Sequence, residues 1–168
     1  KSWIDHYKGW GSFIAAEMLT PKTVTWLSVW HEGELILAQT RAREGWTHGN
    51  RAISGVTGVT KVGVTVSDEQ VTQIAINTVK AVSDKPHGIF GVDMAYDKNG
   101  IPNPTEINIS RFFTTVRFFT EAGINFPEIF KQLALGEKIS IKKGIINPLE
   151  NGLMWGRGMD TEPRRVVK

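Results

Sequence analysis

The sequence predicts an α+β fold, a mostly antiparallel sheet with helices packed on it, and three observations carry that prediction. Stretches rich in β-branched and aromatic residues follow one another at hairpin spacing between residues 23 and 43. One clean helical period runs from residue 67 to residue 82. A second hairpin, 88–109, turns on Asn99-Gly100, a pair suited to the left-handed backbone of a tight turn.

The chain has 168 residues, which suits one domain or a large piece of one. Its 20 Lys and Arg against 17 Asp and Glu leave a formal charge of +3, with the cations scattered, so no nucleic-acid-binding stripe is expected. There is no cysteine, which excludes disulfides, thiol catalysis and thiolate zinc sites and fits a cytoplasmic protein. No apolar run is long enough to span a bilayer, so no membrane partner is expected. The oligomeric state stays open, a homo-oligomer included.

In order, Gly9-Trp10-Gly11 reads as a plain turn rather than a phosphate loop, because it leads into a strand and not into a helix. Phe13 to Leu19 is apolar apart from Glu17, and Thr20-Pro21-Lys22 breaks it. Taken locally, Glu17 is a strand residue facing solvent. Thr23 to Trp30 and Leu35 to Arg43 form a hairpin about His31–Glu34. Gly45, Gly49, Gly55 and Gly58 make the next loop either mobile or shaped for close backbone approach, with Arg51 and Ser54 among them. Val59 to Val66 is another strand. Ser67 is placed to cap a helix whose covered face is Val71, Ile74, Ala75, Thr78, Val79 and Val82, ending before Lys85-Pro86.

Gly88–Tyr96 and Ile101–Ile109 are the strands of the second hairpin. If Tyr96 faces Ile101, Asp93 lies opposite Pro104 and Glu106 follows two residues on. Alternation then puts Asp93, Glu106 and Asn108 on one side and Ile107 and Ile109 on the other. Pro102 and Pro104 lack ladder donors and mark an edge strand. Beyond it, Arg111 to Gly123 reads as a helix with an aromatic core face, Glu128 to Leu135 as a second helix stopped by Gly136, and Gly152 to Met159 as a final strand. Arg157 and Asp160 read as a surface ion pair.

Two carboxylates and an amide oxygen form a hard-oxygen set suited to magnesium and poor for zinc. Magnesium is commonly shared between carboxylates and substrate phosphates, which points to a nucleotide. The other reading is a solvent-facing strand with ordinary polar residues. Arg111 favours function, since a guanidinium beside such a set can hold a developing phosphoryl charge.

The stretch GVDMAYDKNGIPNPTEINISR resembles the metal-binding hairpin of the ATP-grasp fold, and among its members the large chain of carbamoyl-phosphate synthase. The resemblance implies that Asp93 takes the first metal position, Glu106 the bridging carboxylate and Asn108 the second ligand, with Mg2+ and ATP as cofactors. Phe13 to Leu19 is similar to the strand and hinge that hold adenine, which places Glu17, Met18 and Leu19 as ATP-binding residues. The likeness covers roughly residues 12 to 136 and includes Ser54-Gly55 and the helix from Ser67. This chain departs from the family in two places: Ser110 stands where an arginine is usual, with Arg111 one position later, and a common ribose-binding acid is replaced near Thr23.

The implied whole is a carboxyl-terminal ATP-grasp lobe, with the flap-bearing subdomain and a preceding domain expected upstream of Lys1. The implied reaction activates a small carboxylate or bicarbonate as an acyl phosphate for attack by an amine or ammonia, with Arg111 steadying the transferred group as its catalytic residue. The alternative is a non-catalytic nucleotide-binding or regulatory module of the same fold.

Overall fold

The computed structural model describes residues 16–51, 59–158, 162 and 164–166. Strands β1 (Thr23–His31) and β2 (Glu34–Trp46) form the first hairpin. Its turn, Glu32-Gly33, takes positive φ at both positions (52° and 90°), the twist that two paired strands accept. Then follow β3 (Thr60–Val66), α1 (Glu69–Val82), β4 (Gly88–Tyr96) and β5 (Pro102–Ile109). Two short helices, α2 (Arg117–Glu121) and α3 (Phe126–Ala134), precede three short strands, β6 (Ile145–Ile146), β7 (Met154–Gly156) and β8 (Arg164–Val166). The sheet order is β5-β4-β1-β2-β3-β7-β8, with every neighbouring pair antiparallel, and β6 lies parallel to β2.

The sheet is covered on both faces rather than one. Val24, Trp26, Trp30, Phe90, Val92 and Met94 pack against Val71, Ala75 and Val79 of α1. Side chains on the opposite face, Leu27 and Val29 of β1, Leu37 of β2 and Ile89 of β4, pack against Phe119 of α2 and Phe126 and Ile129 of α3. Strand β1 is central and buried on both sides, which is why its sequence is an apolar run instead of a strict alternation. The helix-covered region of the second face ends where Gln39, Arg41 and Arg43 succeed Leu37 on β2, and there a polar surface begins.

Several expectations are corrected. Asp68, not Ser67, caps α1: its Oδ1 accepts from the Val71 backbone N–H at 3.1 Å. Val82, placed on the covered face, is 51% exposed, because α1 has run past the sheet by its last turn. Residues 16–19 lie outside any strand. The helix expected from Arg111 to Gly123 is confined to Arg117–Glu121: Phe112 and Phe113 lie outside any regular element and Thr114, Thr115 and Val116 form a turn, in keeping with the low helix propensity of aromatic and β-branched residues. Strand β8 was not anticipated. Gly9–Gly11, Phe13–Ala15, Ser54-Gly55 and Asp160 lie outside the described residues. Among the described residues no helix is long and apolar enough to cross a membrane.

Candidate functional site

The hairpin of β4 and β5 closes in a different register from the expected one. Tyr96 pairs with Pro102, Ala95 with Asn103 and Met94 with Pro104; a bulge then intervenes, and Asp93 pairs with Glu106. The cause is local. Pro104 has no N–H to continue the ladder, and the extra residue, Thr105, turns its hydroxyl to donate to the Asp93 carbonyl at 3.1 Å. The consequence is that Asp93 and Glu106 are direct cross-strand partners, with Cβ atoms about 5 Å apart by sheet geometry. Asn108 faces Gly91, two residues along, so Asp93, Glu106 and Asn108 do share one face. Strand β5 is the sheet edge that its prolines indicated.

The pairing of three more strands extends this polar face into a row. Thr25 on β1 pairs with both Asp93 on β4 and Arg41 on β2, and Arg41 pairs with Thr65 on β3. Directly opposed residues point to the same side, so Glu106, Asp93, Thr25 and Arg41 stand side by side across the sheet. Arg43, two residues beyond Arg41, reaches over β1 and donates from Nη2 to Asp93 Oδ1 at 2.6 Å. Both side chains are largely sheltered, at 16% and 18% exposure. Arg111 comes in from beyond β5: its Nε donates to Asn108 Oδ1 at 2.9 Å, and Nη2 lies 4.0 Å from Glu106 Oε1.

Phe113 floors the cleft between these groups. Its ring lies against Gly91, where a Cβ would stand 2.4 Å from Phe113 Cε1, and the Arg41 guanidinium lies 5.3 Å above the ring centroid. Arg41 itself is buried, with Nη1 donating to Thr115 Oγ1 and Nη2 to Thr25 Oγ1 at 3.3 Å. Gly63, beside Arg43 on β3, leaves room for it: a Cβ there would come within 3.0 Å of Arg41 Cδ. Burial, and then the neighbouring charges of Arg43 and Arg157, push the Arg41 guanidinium down to about 9, while Asp93 acts in the other direction. Arg157 closes the far side, donating from Nε to the Thr60 carbonyl at 3.0 Å and from Nη2 to Thr114 Oγ1 at 3.2 Å.

The segment Glu17–Leu19 approaches the same end of β4. Glu17 and Met18 are exposed and Leu19 is half-buried. Just after them, Thr20 donates to the Tyr96 carbonyl from both its N–H (2.8 Å) and its hydroxyl (2.7 Å). The segment proposed as the hinge, Glu17–Leu19, is thus tethered through Thr20 to Tyr96, three residues along β4 from Asp93.

Solved structures share this arrangement of elements. N5-carboxyaminoimidazole synthetase from Staphylococcus aureus, complexed with ADP, superposes with a TM-score of 0.61 over 83% of this chain and 36% of its own, at 14% identity. The biotin carboxylase domain of Hydrogenobacter thermophilus 2-oxoglutarate carboxylase, in complex with MgADP and bicarbonate, gives 0.57 over 80% and 28%, at 12% identity. L-amino acid ligase from Bacillus licheniformis gives 0.54 over 83% and 35%, at 16% identity. The fold is that of an ATP-grasp lobe. The chain spans only 28% to 36% of the lengths of these three matched chains. No family model and no curated protein matches the sequence.

The site's donors suit a hard cation beside an anionic group. Among the described residues no three His, Cys, Asp or Glu side chains cluster, so the set is two carboxylates and an amide. Those are magnesium's preferred oxygen donors, and Arg43 already sets a cation beside Asp93. The guanidinium groups opposite suit an anionic ligand. Sequence reasoning proposed Asp93, Glu106, Asn108 and Arg111, gave no role to Arg41 or Arg43, and read Arg157 as a surface ion-pair partner. The available signal was Arg41-Ala42-Arg43, two cations on one face of a strand whose preceding residues on that face are buried.

Proposed function

We propose that this lobe holds Mg-ATP in a ligase of the ATP-grasp type. The whole protein would activate a carboxylate or bicarbonate as an acyl phosphate that an amine or ammonia attacks, as in carbamoyl-phosphate synthase. The observation that carries this reading is the direct pairing of Asp93 with Glu106, with Asn108 next on the same face. Asp93, Glu106 and Asn108 would hold the magnesium, which neutralises charge on the nucleotide phosphates when bound.

The chain's own residues supply positioning and electrostatics. Arg111, beside both Asn108 and Glu106, is the guanidinium placed to steady a transferred phosphoryl group. Glu17 to Leu19, at the Tyr96 end of β4, would border the adenine. The ion pair with Arg43 keeps the Asp93 carboxylate oriented on the face it shares with Glu106 and Asn108.

The test compares magnesium-dependent nucleotide binding and ATP-dependent phosphate release in the full-length protein and its Glu106→Gln variant. Loss of both in the variant is expected. Equal Mg-ATP affinity in the two proteins would remove Glu106 from the metal site and the reading with it.

A further inference from the structure

We propose that His31 and His87 form a two-imidazole chelate for a divalent cation of the zinc, copper and nickel class, at the end of the sheet away from Asp93. This goes beyond the function proposed above and uses none of its residues, so either reading can fail without the other.

Strand pairing brings the two rings together. Trp30 on β1 pairs with Gly88 on β4, and one step further along the ladder His31 lies opposite His87 on the same side of the sheet. The ring centroids stand 5.2 Å apart with their planes inclined at 45°, so the rings are not stacked. Two imidazoles that share a tetrahedral zinc through nitrogens at about 2.0–2.1 Å have their centroids about 5 Å apart. The spacing that a chelate needs is therefore already present. Asp93 lies further along the same extended strand, about 20 Å from His87 at a rise of about 3.3 Å per residue.

Nitrogens are available on both rings. The His31 side chain has no hydrogen-bond or ion-pair partner among the described residues. His87 is held from one side only: its Nδ1 lies 3.0 Å from Glu32 Oε1 and 3.4 Å from the Glu32 backbone nitrogen, which leaves Nε2 for a ligand. With a metal on Nε2, the proton of the ring sits on Nδ1, where the Glu32 carboxylate accepts it. A carboxylate in that position fixes the tautomer and makes the ligand nitrogen more basic. Lys85, by its hydrogen bond and then by its charge, holds the Glu32 carboxyl below its usual range, so the acceptor stays ionised.

The surroundings neither repel a cation nor need to rearrange for it. Lys85 is paired with Glu32, and Lys143 with Glu34 at 2.6 Å, so the charged neighbours cancel and the imidazoles meet the metal without a net like charge. The hairpin tip is pinned, because the Gly33 N–H donates to the Pro86 carbonyl at 2.9 Å and so ties the β1–β2 turn to the segment that carries His87. A chelate built on fixed elements loses little conformational entropy on binding. Among the described residues no three His, Asp or Glu side chains can hold a metal together, so water completes the shell, entering past the exposed His87 and half-buried His31. Imidazole nitrogens select zinc, copper and nickel over magnesium, which takes oxygen.

The test follows the imidazole resonances of the ¹⁵N-labelled full chain by NMR during titration with zinc chloride and, separately, with magnesium chloride. Zinc should shift the His31 and His87 signals together and saturably, with one common midpoint, while magnesium moves neither. His31→Gln and His87→Gln should each raise the zinc midpoint about tenfold or more, and Glu32→Gln several-fold. Zinc should also raise the melting temperature of the chain but not that of His87→Gln. The absence of a saturable zinc shift, an equal response to magnesium, or a zinc midpoint unchanged in either histidine variant overturns the site. His87→Gln, at an exposed position, carries the test alone if His31→Gln disturbs folding. Zinc binding should persist in Glu106→Gln whether or not that variant loses Mg-nucleotide binding, and its loss there would overturn the assignment to His31 and His87.

Discussion

Arg43 on β2 and Asp93 on β4 are joined at 2.6 Å across an intervening strand. Neither residue is near the other in sequence, and neither strand pairs with the other. Strand β1 lies between them, and its residue opposite Asp93 is the small Thr25, which leaves the long arginine side chain room to reach across.

Removing the arginine should therefore have two effects of opposite benefit. Arg43→Gln leaves Asp93 sheltered without its counter-ion and should cost about 1–3 kcal/mol of stability in chemical denaturation. On the proposed function it should also tighten magnesium binding to Asp93, since a competing positive charge is gone, and isothermal titration would read this directly. Unchanged stability would mean that the pair is not maintained in solution.

Gly91 should not accept a side chain. A Cβ there would stand 2.4 Å from Phe113 Cε1, so Gly91→Ala must push the ring off the floor of the cleft, at about 1–3 kcal/mol. Gly45→Ala is the matched control on the same sheet, because its Cβ would meet nothing closer than 3.9 Å. Thermal melts of the two variants should differ clearly, and equal melting temperatures would refute the ring's placement.

Tyr96 predicts an alkaline limit. Burial, with the nearby Asp68 carboxylate 3.2 Å from the hydroxyl, pushes the phenol up from its usual 10 to about 12. The folded chain keeps this proton over a window in which the unfolded chain has lost it. Stability is thus fully present below pH 10 and falls as pH rises toward 12, by on the order of 2 kcal/mol. Denaturation of the chain and of Tyr96→Phe at pH 8, 10 and 11 should show a smaller loss in the variant, and parallel losses would exclude Tyr96 as the cause.

Helix α1 offers a check on its cap. Asp68 serves both the Val71 N–H and the Tyr96 hydroxyl, whereas Ser67 serves neither. Asp68→Ala should destabilise by about 1 kcal/mol or more, and Ser67→Ala by little, in the same denaturation assay. The reverse order would restore Ser67 as the cap.

What the sequence determined by itself was local. Alternation along a strand has a period of two whatever the strand pairs with, so Glu106 and Asn108 could be put on one face of β5 from the chain alone, whereas Asp93 joins that face only through the register of β4 against β5. The Asn99-Gly100 turn and the proline-marked edge were legible for the same reason, since turn and proline chemistry act within a few residues. The register was not, because the bulge at Thr105 depends on which carbonyl its hydroxyl can reach once β4 and β5 are paired. Nor was the arginine side of the cleft. Arg41 and Arg43 lie some fifty residues before Asp93, and only the order β4-β1-β2, a matter of long-range packing rather than local period, sets them beside it. Tertiary structure thus decided the charge environment of Asp93, because a carboxylate's counter-ion is whatever the fold brings within reach.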